Sequence, residues 1–275
     1  MRGLQTLSAL GRSLLDLLYP PLCVGCEGEC EDARIPLCRH CFEAMQRLSG
    51  PVCESCGAPV PLENVSICPQ CPKRPLFDLV RSALDYRDPL VDRVIYAYKF
   101  EGCATLAEPL GMIFTEAFDR FLGGVDLDII VPIALHRRRE RIREYNQSTL
   151  LAERLSAHCG LPLRTDLHIR ARHTQPQSRL HQRQRERNMR NAFVLTHPAA
   201  VKGKRILFID DILTTGNTIN EAAKIFRQAG AQWIGALTLA RALSHRLDDR
   251  PAAIAASAGQ RLEREQEEQK EHSTR

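Results

Sequence analysis

The sequence is short of several things, and each shortage excludes a class of protein. No long hydrophobic run is present; the longest clean apolar stretch, Ile129 to Leu135, falls far short of the roughly 20 residues a membrane helix needs. The apolar N-terminal stretch Met1 to Tyr19 is interrupted by Arg12 and Asp16, and no A-x-A cleavage site follows. It reads as an amphipathic helix over 1–20 of a cytosolic protein, without stable membrane insertion, rather than as a signal peptide. Neither G-x-x-x-x-G-K-[ST] nor G-x-G-x-x-G occurs, which excludes a P-loop and a dinucleotide fingerprint. Lysine is scarce, 6 residues against 32 arginines. A GC-rich genome explains that bias most cheaply, and selection for planar, bidentate phosphate binding is the sharper reading. With 44% hydrophobic and 26% charged residues in 275, wholesale disorder, collagen and a polytopic membrane protein are also excluded.

What is present is unevenly placed. Nine of the 11 cysteines lie between Cys23 and Cys71. Eight of them form Cys-x-x-Cys knuckles, Cys23/Cys26, Cys38/Cys41, Cys53/Cys56 and Cys68/Cys71, at a period of 15 residues. One knuckle supplies two ligands from a tight turn, and two knuckles complete a closed, structural four-thiolate zinc site. Two zinc ions are therefore expected. A disulfide framework competes poorly with a large α/β domain that lacks a secretory signal, and a four-thiolate iron–sulfur site is the other chemical option. The strict period leaves the pairing open; sequential pairing is favoured because each loop then closes locally. So small a segment makes little core, and each structural zinc supplies roughly 10–16 kcal/mol in peptide models. Cys30 has no partner, with substitution for a ligand as its one sharper use. Cys103 and Cys159 read as ordinary buried thiols.

From Phe77 the pattern alternates between strand and helix. Leu79–Tyr86, Asp128–Pro132, Arg205–Ile209 and Trp233–Ala240 read as strands, and 89–100, 104–122, 148–159 and 217–229 as helices. Near-continuous apolar strands between helices argue for a parallel sheet covered on both faces. The expected organisation is an N-terminal helix over 1–20, a double zinc ribbon over 21–75, an α/β domain over 76–245 and a charged tail over 246–275. The tail reads as disordered or as a frayed helix.

The strongest functional signal is Arg205-Ile-Leu-Phe-Ile-Asp-Asp-Ile-Leu-Thr-Thr-Gly-Asn-Thr218, an apolar strand that ends in Asp210-Asp211. The following turn, Thr214, Thr215, Gly216, Asn217 and Thr218, is small and rich in hydroxyls, and it opens a helix. A helix N-terminus offers free N–H groups and a positive dipole end to an anion. Gly216 removes the side chain that would block a phosphate. Two carboxylates accept hydrogen bonds from vicinal ribose hydroxyls or hold the water shell of magnesium. Together these parts suit a ribose-5-phosphate cradle. The plainer reading is an Asp pair that merely caps a loop.

Ile206 to Thr218 resembles the PRPP-binding motif of type I phosphoribosyltransferases. Over about residues 10 to 242 the chain resembles the ComF/GntX family, competence-associated proteins that join a double zinc ribbon to a phosphoribosyltransferase-like domain. The knuckles match. So do Val131-Pro132 through Arg141-Ile-Arg-Glu-Tyr-Asn-Gln147, and Arg170-Ala-Arg-His-Thr-Gln-Pro-Gln177 with Leu180, Arg185, Asn188 and Phe193. The resemblance implies an α/β fold of the type I phosphoribosyltransferase kind, a parallel sheet with helices on both faces, preceded by the double zinc ribbon. It implies that Asp210 and Asp211 contact ribose hydroxyls, that Thr214 to Thr218 hold the 5-phosphate, and that Val131-Pro132-Ile133 shape the pyrophosphate side, with magnesium accompanying PRPP. Lys99 sits where the family often has a lysine in a mobile segment; a solvated helix-end lysine is the competing reading. Glu144 stands where the family usually has Gly, which predicts a changed backbone there.

The stretch Arg137 to Arg190 holds 14 arginines against five acidic residues, +9 within a chain whose total is +5, so the remainder is −4. A solvated helix face, neutralisation of pyrophosphate and binding of a nucleic-acid backbone through Arg137, Arg138, Arg139, Arg141 and Arg143 all remain open. Tyr145, His168, His173, His181 and Phe193 are too sparse for a clear stacking platform. Three functions follow from the resemblance: cytoplasmic handling of imported single-stranded DNA during natural transformation with PRPP or a related phosphosugar as ligand, phosphoribosyl transfer to an unknown nitrogen acceptor, and a scaffold for a competence helicase.

Overall fold

Apolar strands from distant parts of the sequence meet in one parallel sheet. The computed structural model describes residues 22–60, 68, 71, 75–171 and 191–242. Within them, β1 (Leu79–Asp85), β2 (Ile129–Pro132), β5 (Arg205–Leu213) and β6 (Trp233–Arg241) lie in the order β1-β6-β5-β2. A short antiparallel pair, β3 (His168–Arg170) and β4 (Phe193–Leu195), stands beside them. The N-terminal helix over 1–20, the tail over 246–275, the linker Pro72 to Arg74, and Arg172, Arg179, Arg183, Arg185, Arg187 and Arg190 lie outside the described residues.

Six α-helices are described. α1 (Arg39–Ala44) belongs to the cysteine-rich segment. α2 (Pro89–Phe100), α3 (Ala107–Leu122), α4 (Arg137–Arg143), α5 (Gln147–Cys159) and α6 (Asn217–Gln228) belong to the α/β body. The start of α2 is written in the sequence: the Asp88 side chain accepts from Leu90 N–H at 2.9 Å, and Pro89 fills the first turn. α3 starts three residues later than its apolar spacing suggests, because Ala104–Leu106 winds as a 3₁₀ turn. Helices α2, α3 and α5 bury Val94, Ile95, Tyr98, Phe114 and Leu151 on one face of the sheet. α6 buries Ile219, Ala222, Ala223 and Phe226 on the other, an i, i+3, i+4, i+7 stripe. Among the described residues, no helix is long and apolar enough to cross a membrane.

β5 runs to Leu213, past the Asp pair that the sequence reads as its end. Its early rungs have neighbours on both sides, with Pro132 opposite Ile209 at the last rung of β2. Beyond that only β6 continues alongside, through Asp210↔Thr238 to Leu213↔Arg241. The two carboxylates therefore sit where β2 has stopped and β5 has not.

Each half of the cysteine-rich segment begins with a small hairpin, bridged at Leu22↔Glu29 and at Val52↔Pro59, 30 residues apart. The segment between the halves pairs with the edge of the sheet, Leu48 N–H donating to Ala83 O at 2.9 Å and Asp85 N–H to Gln46 O at 3.0 Å. The second half presses backbone against backbone: Val80 N–H donates to Ser55 O at 2.7 Å, and a Cβ on Gly57 would meet Val80 O at 2.5 Å.

Glu144 ends α4 at φ 66°, in the left-handed region that glycine occupies without penalty. The left-handed bend is carried here by a residue with a Cβ. Because such a residue costs roughly 1–2 kcal/mol there, Glu144→Gly is expected to stabilise the protein by about 1 kcal/mol. Urea unfolding checks this, and an unchanged or lowered midpoint would contradict it.

Candidate functional site

The eight knuckle cysteines gather into two groups, Cys23, Cys26, Cys38 and Cys41, and Cys53, Cys56, Cys68 and Cys71, each with its sulfurs within 4.8 Å of one another. The pairing is sequential. Sulfur separations of 3.6 Å for Cys53–Cys71 and Cys56–Cys68 and 3.8 Å for Cys26–Cys38 are far too long for disulfides. They match the edge of a tetrahedron built on Zn–S bonds of about 2.3 Å, about 3.8 Å. Backbone N–H groups of Gly25 and Cys38 point at Cys23 Sγ, at 3.4 and 3.3 Å. Burial raises the Cys23 thiol, but such donors outweigh it and bring it down to about 6. Cys30 stands beside the first group without joining it. Cys103 and Cys159 are only part-buried, against expectation; the Cys159 thiol is spent on Leu155 O at 3.1 Å.

The second centre is the Asp pair. Lys99 Nζ, from the last turn of α2, lies 2.8 Å from Asp211 Oδ2, both side chains 14% exposed. Lys99 is thus an ion-pair partner of the predicted site and not a solvated helix end. Ser148 Oγ, at the start of α5, donates to Asp210 Oδ1 at 3.3 Å, and Asp211 N–H donates to the same oxygen at 2.9 Å. Burial pushes the Asp210 carboxyl up to about 7, and the charge of Asp211 adds to the rise. Burial pushes Asp211 the same way, but Lys99, with help from Arg143, holds it below the usual carboxylate range. Val131 and Pro132 end β2 beside this pair, Pro132 level with Ile209.

The basic helix α4 divides its arginines between two environments. Arg137, Arg138 and Arg141 are exposed, while Arg139 and Arg143 are partly buried. Burial lowers both of these guanidinium groups and the charge of Asp211 opposes it. Arg143 stacks over Phe100 at 4.6 Å and donates to Gln147 Oε1 at 3.0 Å. Asn146, which caps α5 by accepting from Ser148 N–H, ties this corner to Ile133 O at 3.1 Å. Arg170 joins from β3, only 7% exposed; burial brings it down to about 10, with Asp210 and Asp211 supporting its charge. So the five arginines offered for a nucleic-acid backbone divide into three exposed and two partly buried. His168 and Phe193, read as interleaved rings on the basic segment, are buried in the core, His168 edge-on to Phe193, Phe208 and Phe226.

The third part is the loop Thr214 to Thr218. Gly216 is left-handed at φ 75° immediately before α6. Thr215 Oγ1 and Asn217 Nδ2 are buried and have no hydrogen-bond partner. Buried polar atoms left unpaired cost about 1–3 kcal/mol each, so Thr215 Oγ1 and Asn217 Nδ2 are donors at a helix N-terminus open to an acceptor group. The sequence reading missed Ser148 and Arg241. Ser148 reads as an ordinary first-turn serine, and Arg241 falls just past the strand read over Trp233–Ala240; only the folded contacts give either a role.

Two family models match the chain: the double zinc ribbon domain over residues 14–72 and the phosphoribosyl transferase domain over residues 146–257. Competence protein F of Haemophilus influenzae is 31% identical over 228 residues, 80% of this chain and 96% of its own. DNA utilization protein YhgH of Salmonella typhimurium is 32% identical over 232 residues, 82% of this chain and 100% of its own. Competence protein ComFC of Bacillus subtilis is 28% identical over 213 residues, 74% and 84% of the two chains. A crystal structure of a hypoxanthine-guanine phosphoribosyltransferase from Bacillus anthracis aligns with 54% of this chain and 75% of its own at 17% identity and a TM-score of 0.35, too loosely to carry detail.

The environment of the Asp pair generates a direct expectation. In the ligand-free protein Asp210 should keep its proton up to about pH 7, and Asp211→Asn should lower that midpoint by removing the neighbouring charge. Carboxyl-carbon NMR titration checks both. A midpoint near 4 in the unsubstituted protein, the ordinary Asp value, would contradict the burial argument.

Proposed function

We propose that this chain, which belongs to the ComF/GntX family, is a competence-associated cytoplasmic protein that binds PRPP or a related phosphosugar and handles single-stranded DNA. The observation that carries the phosphosugar reading is the loop at the start of α6, with the orphaned Thr215 Oγ1 and Asn217 Nδ2 around a left-handed Gly216. In this reading Thr214 to Thr218 hold the 5-phosphate through backbone N–H groups and hydroxyls. Asp210 and Asp211 accept from the ribose hydroxyls or from the water shell of the magnesium that PRPP brings. Lys99 must then give up part of its hold on Asp211. Arg139, Arg143 and Arg170 offer the pyrophosphate end three cations in a partly desolvated corner, beside Val131 and Pro132.

The same cations support a second reading, phosphoribosyl transfer. An acceptor nitrogen would attack C1′, the bond from C1′ to the pyrophosphate oxygen would break, and pyrophosphate would leave with that electron pair. Pyrophosphate release from PRPP, assayed against a panel of bases and ammonia, separates transfer from binding alone.

The DNA reading rests on the relatives' names and on exposed Arg137, Arg138 and Arg141, which face solvent on α4. Three such contacts contribute a salt-sensitive term of about 0.7 per phosphate for single strands.

Two measurements test the proposal. Asp210→Asn with Asp211→Asn should abolish PRPP binding in calorimetry, and unchanged binding would refute the site. Reversing Arg137, Arg138 and Arg141 to Glu should weaken oligonucleotide binding and flatten its log–log salt slope by about 2. An unaltered slope would remove these arginines from the DNA surface.

A further inference from the structure

Arg241 closes β6 and is 3% exposed. Its guanidinium reaches across to the second cysteine group: Nη1 donates to Cys56 O at 2.6 Å, and Nη2 lies 3.6 Å from Cys56 Sγ. Its Nε is buried with no hydrogen-bond partner. In the sheet Arg241 pairs with Leu213, the residue immediately before the loop. A small cavity lies between the two, bounded by Cys56 and Phe77 on one side and by Leu213, Arg241 and the turn Thr214 to Gly216 on the other. One metal-binding knuckle and one face of the phosphate loop are thus walls of the same cavity, joined by one buried cation.

A guanidinium buried this deeply needs compensation. Four deprotonated cysteines around one zinc carry a net charge of about −2, so a loaded second ribbon supplies it. Metal also fixes the knuckle turn that carries Cys56 O. Without metal a four-cysteine ribbon loses most of its folding free energy, and Arg241 loses both of its anchors beside the loop.

We infer that Arg241 is a positioning residue that couples zinc occupancy of the Cys53, Cys56, Cys68 and Cys71 site to anion binding at Thr214 to Thr218. The inference rests on the phosphosugar reading of that loop. Coupling between two sites is reciprocal: zinc in this ribbon tightens phosphosugar binding, and a bound phosphosugar tightens the ribbon's hold on zinc by the same factor. The first ribbon, whose sulfurs Arg241 does not touch, is outside the linkage.

The test uses the full-length, zinc-loaded chain with ribose 5-phosphate as the probe. Zinc transfer to a chromogenic chelator is followed with and without the probe, and calorimetry measures the probe's binding in parallel. One of the two zinc ions per chain should become roughly tenfold harder to extract, within the usual range for coupled sites, while the other is unmoved. Arg241→Gln should still carry two zinc ions and lose the protection. Should that variant fail to fold, Arg241→Lys, which keeps the charge but not the fork that spans Cys56 O and Sγ, should show reduced protection. Ribose 5-phosphate that binds without altering either zinc would overturn the coupling and leave the phosphosugar reading standing. Full protection in the Arg241 variants would overturn the role of Arg241. Ribose 5-phosphate that does not bind the loaded protein would remove both.

Discussion

Two adjacent, half-buried carboxylates at one point of a parallel sheet set the terms for the rest of this molecule. Isolated charges are expensive inside a protein, so Asp210 and Asp211 dictate what their neighbours must be. Lys99 arrives from α2, Arg139 and Arg143 from α4, Ser148 from α5 and Arg170 from β3. One carboxyl stays ionised against Lys99, and the other holds its proton toward neutrality. A pair of this kind rarely gains stability over an apolar core of the same volume. Its upkeep points to a ligand that exchanges with the internal partners, as ribose hydroxyls and a phosphate-borne cation do.

The zinc ribbons are built into the same body. Leu48 and Gln46 pair with the edge of β1, and Gly57 packs against the backbone of Val80 so closely that any side chain there would collide. A cysteine segment that makes little core of its own gains rigidity from metal and a platform from the sheet. In return it covers the edge of β1, and Cys56 shares a small cavity with the turn Thr214 to Gly216.

Much of this was legible in the sequence, and the reasons are local. The helix Pro89–Phe100 was readable to the residue because Asp88 and Pro89 write its start. The 15-residue period foretold two four-thiolate groups, and the loop of Thr, Gly and Asn stands where the pattern put it. What escaped depended on neighbours distant in sequence. β5 was read too short because two aspartates resemble a strand end, and only the length of β6 keeps the ladder going. The sequence leaves the arginine run undivided, because charge density says nothing of which side of a short helix meets the core. The left-handed bend at Glu144 lies beside a corner tied by Asn146 to Ile133 O and by Arg143 to Gln147, contacts that the sequence does not announce. Ser148 and Arg241 carry no signal in the chain at all; their partners lie 62 and 185 residues away.

The central claim is that one phosphosugar site, with the loop before α6 for the phosphate and the acid pair for the ribose, is shared by these otherwise separate features. Backbone amide NMR on addition of ribose 5-phosphate tests it most directly. The account predicts that the largest shifts fall on the amides of Thr214 to Thr218 and on Asp211 and Ile212, whose N–H groups bond the two carboxylates. Saturable shifts centred instead on exposed Arg137, Arg138 and Arg141, with the loop amides unmoved, would contradict it.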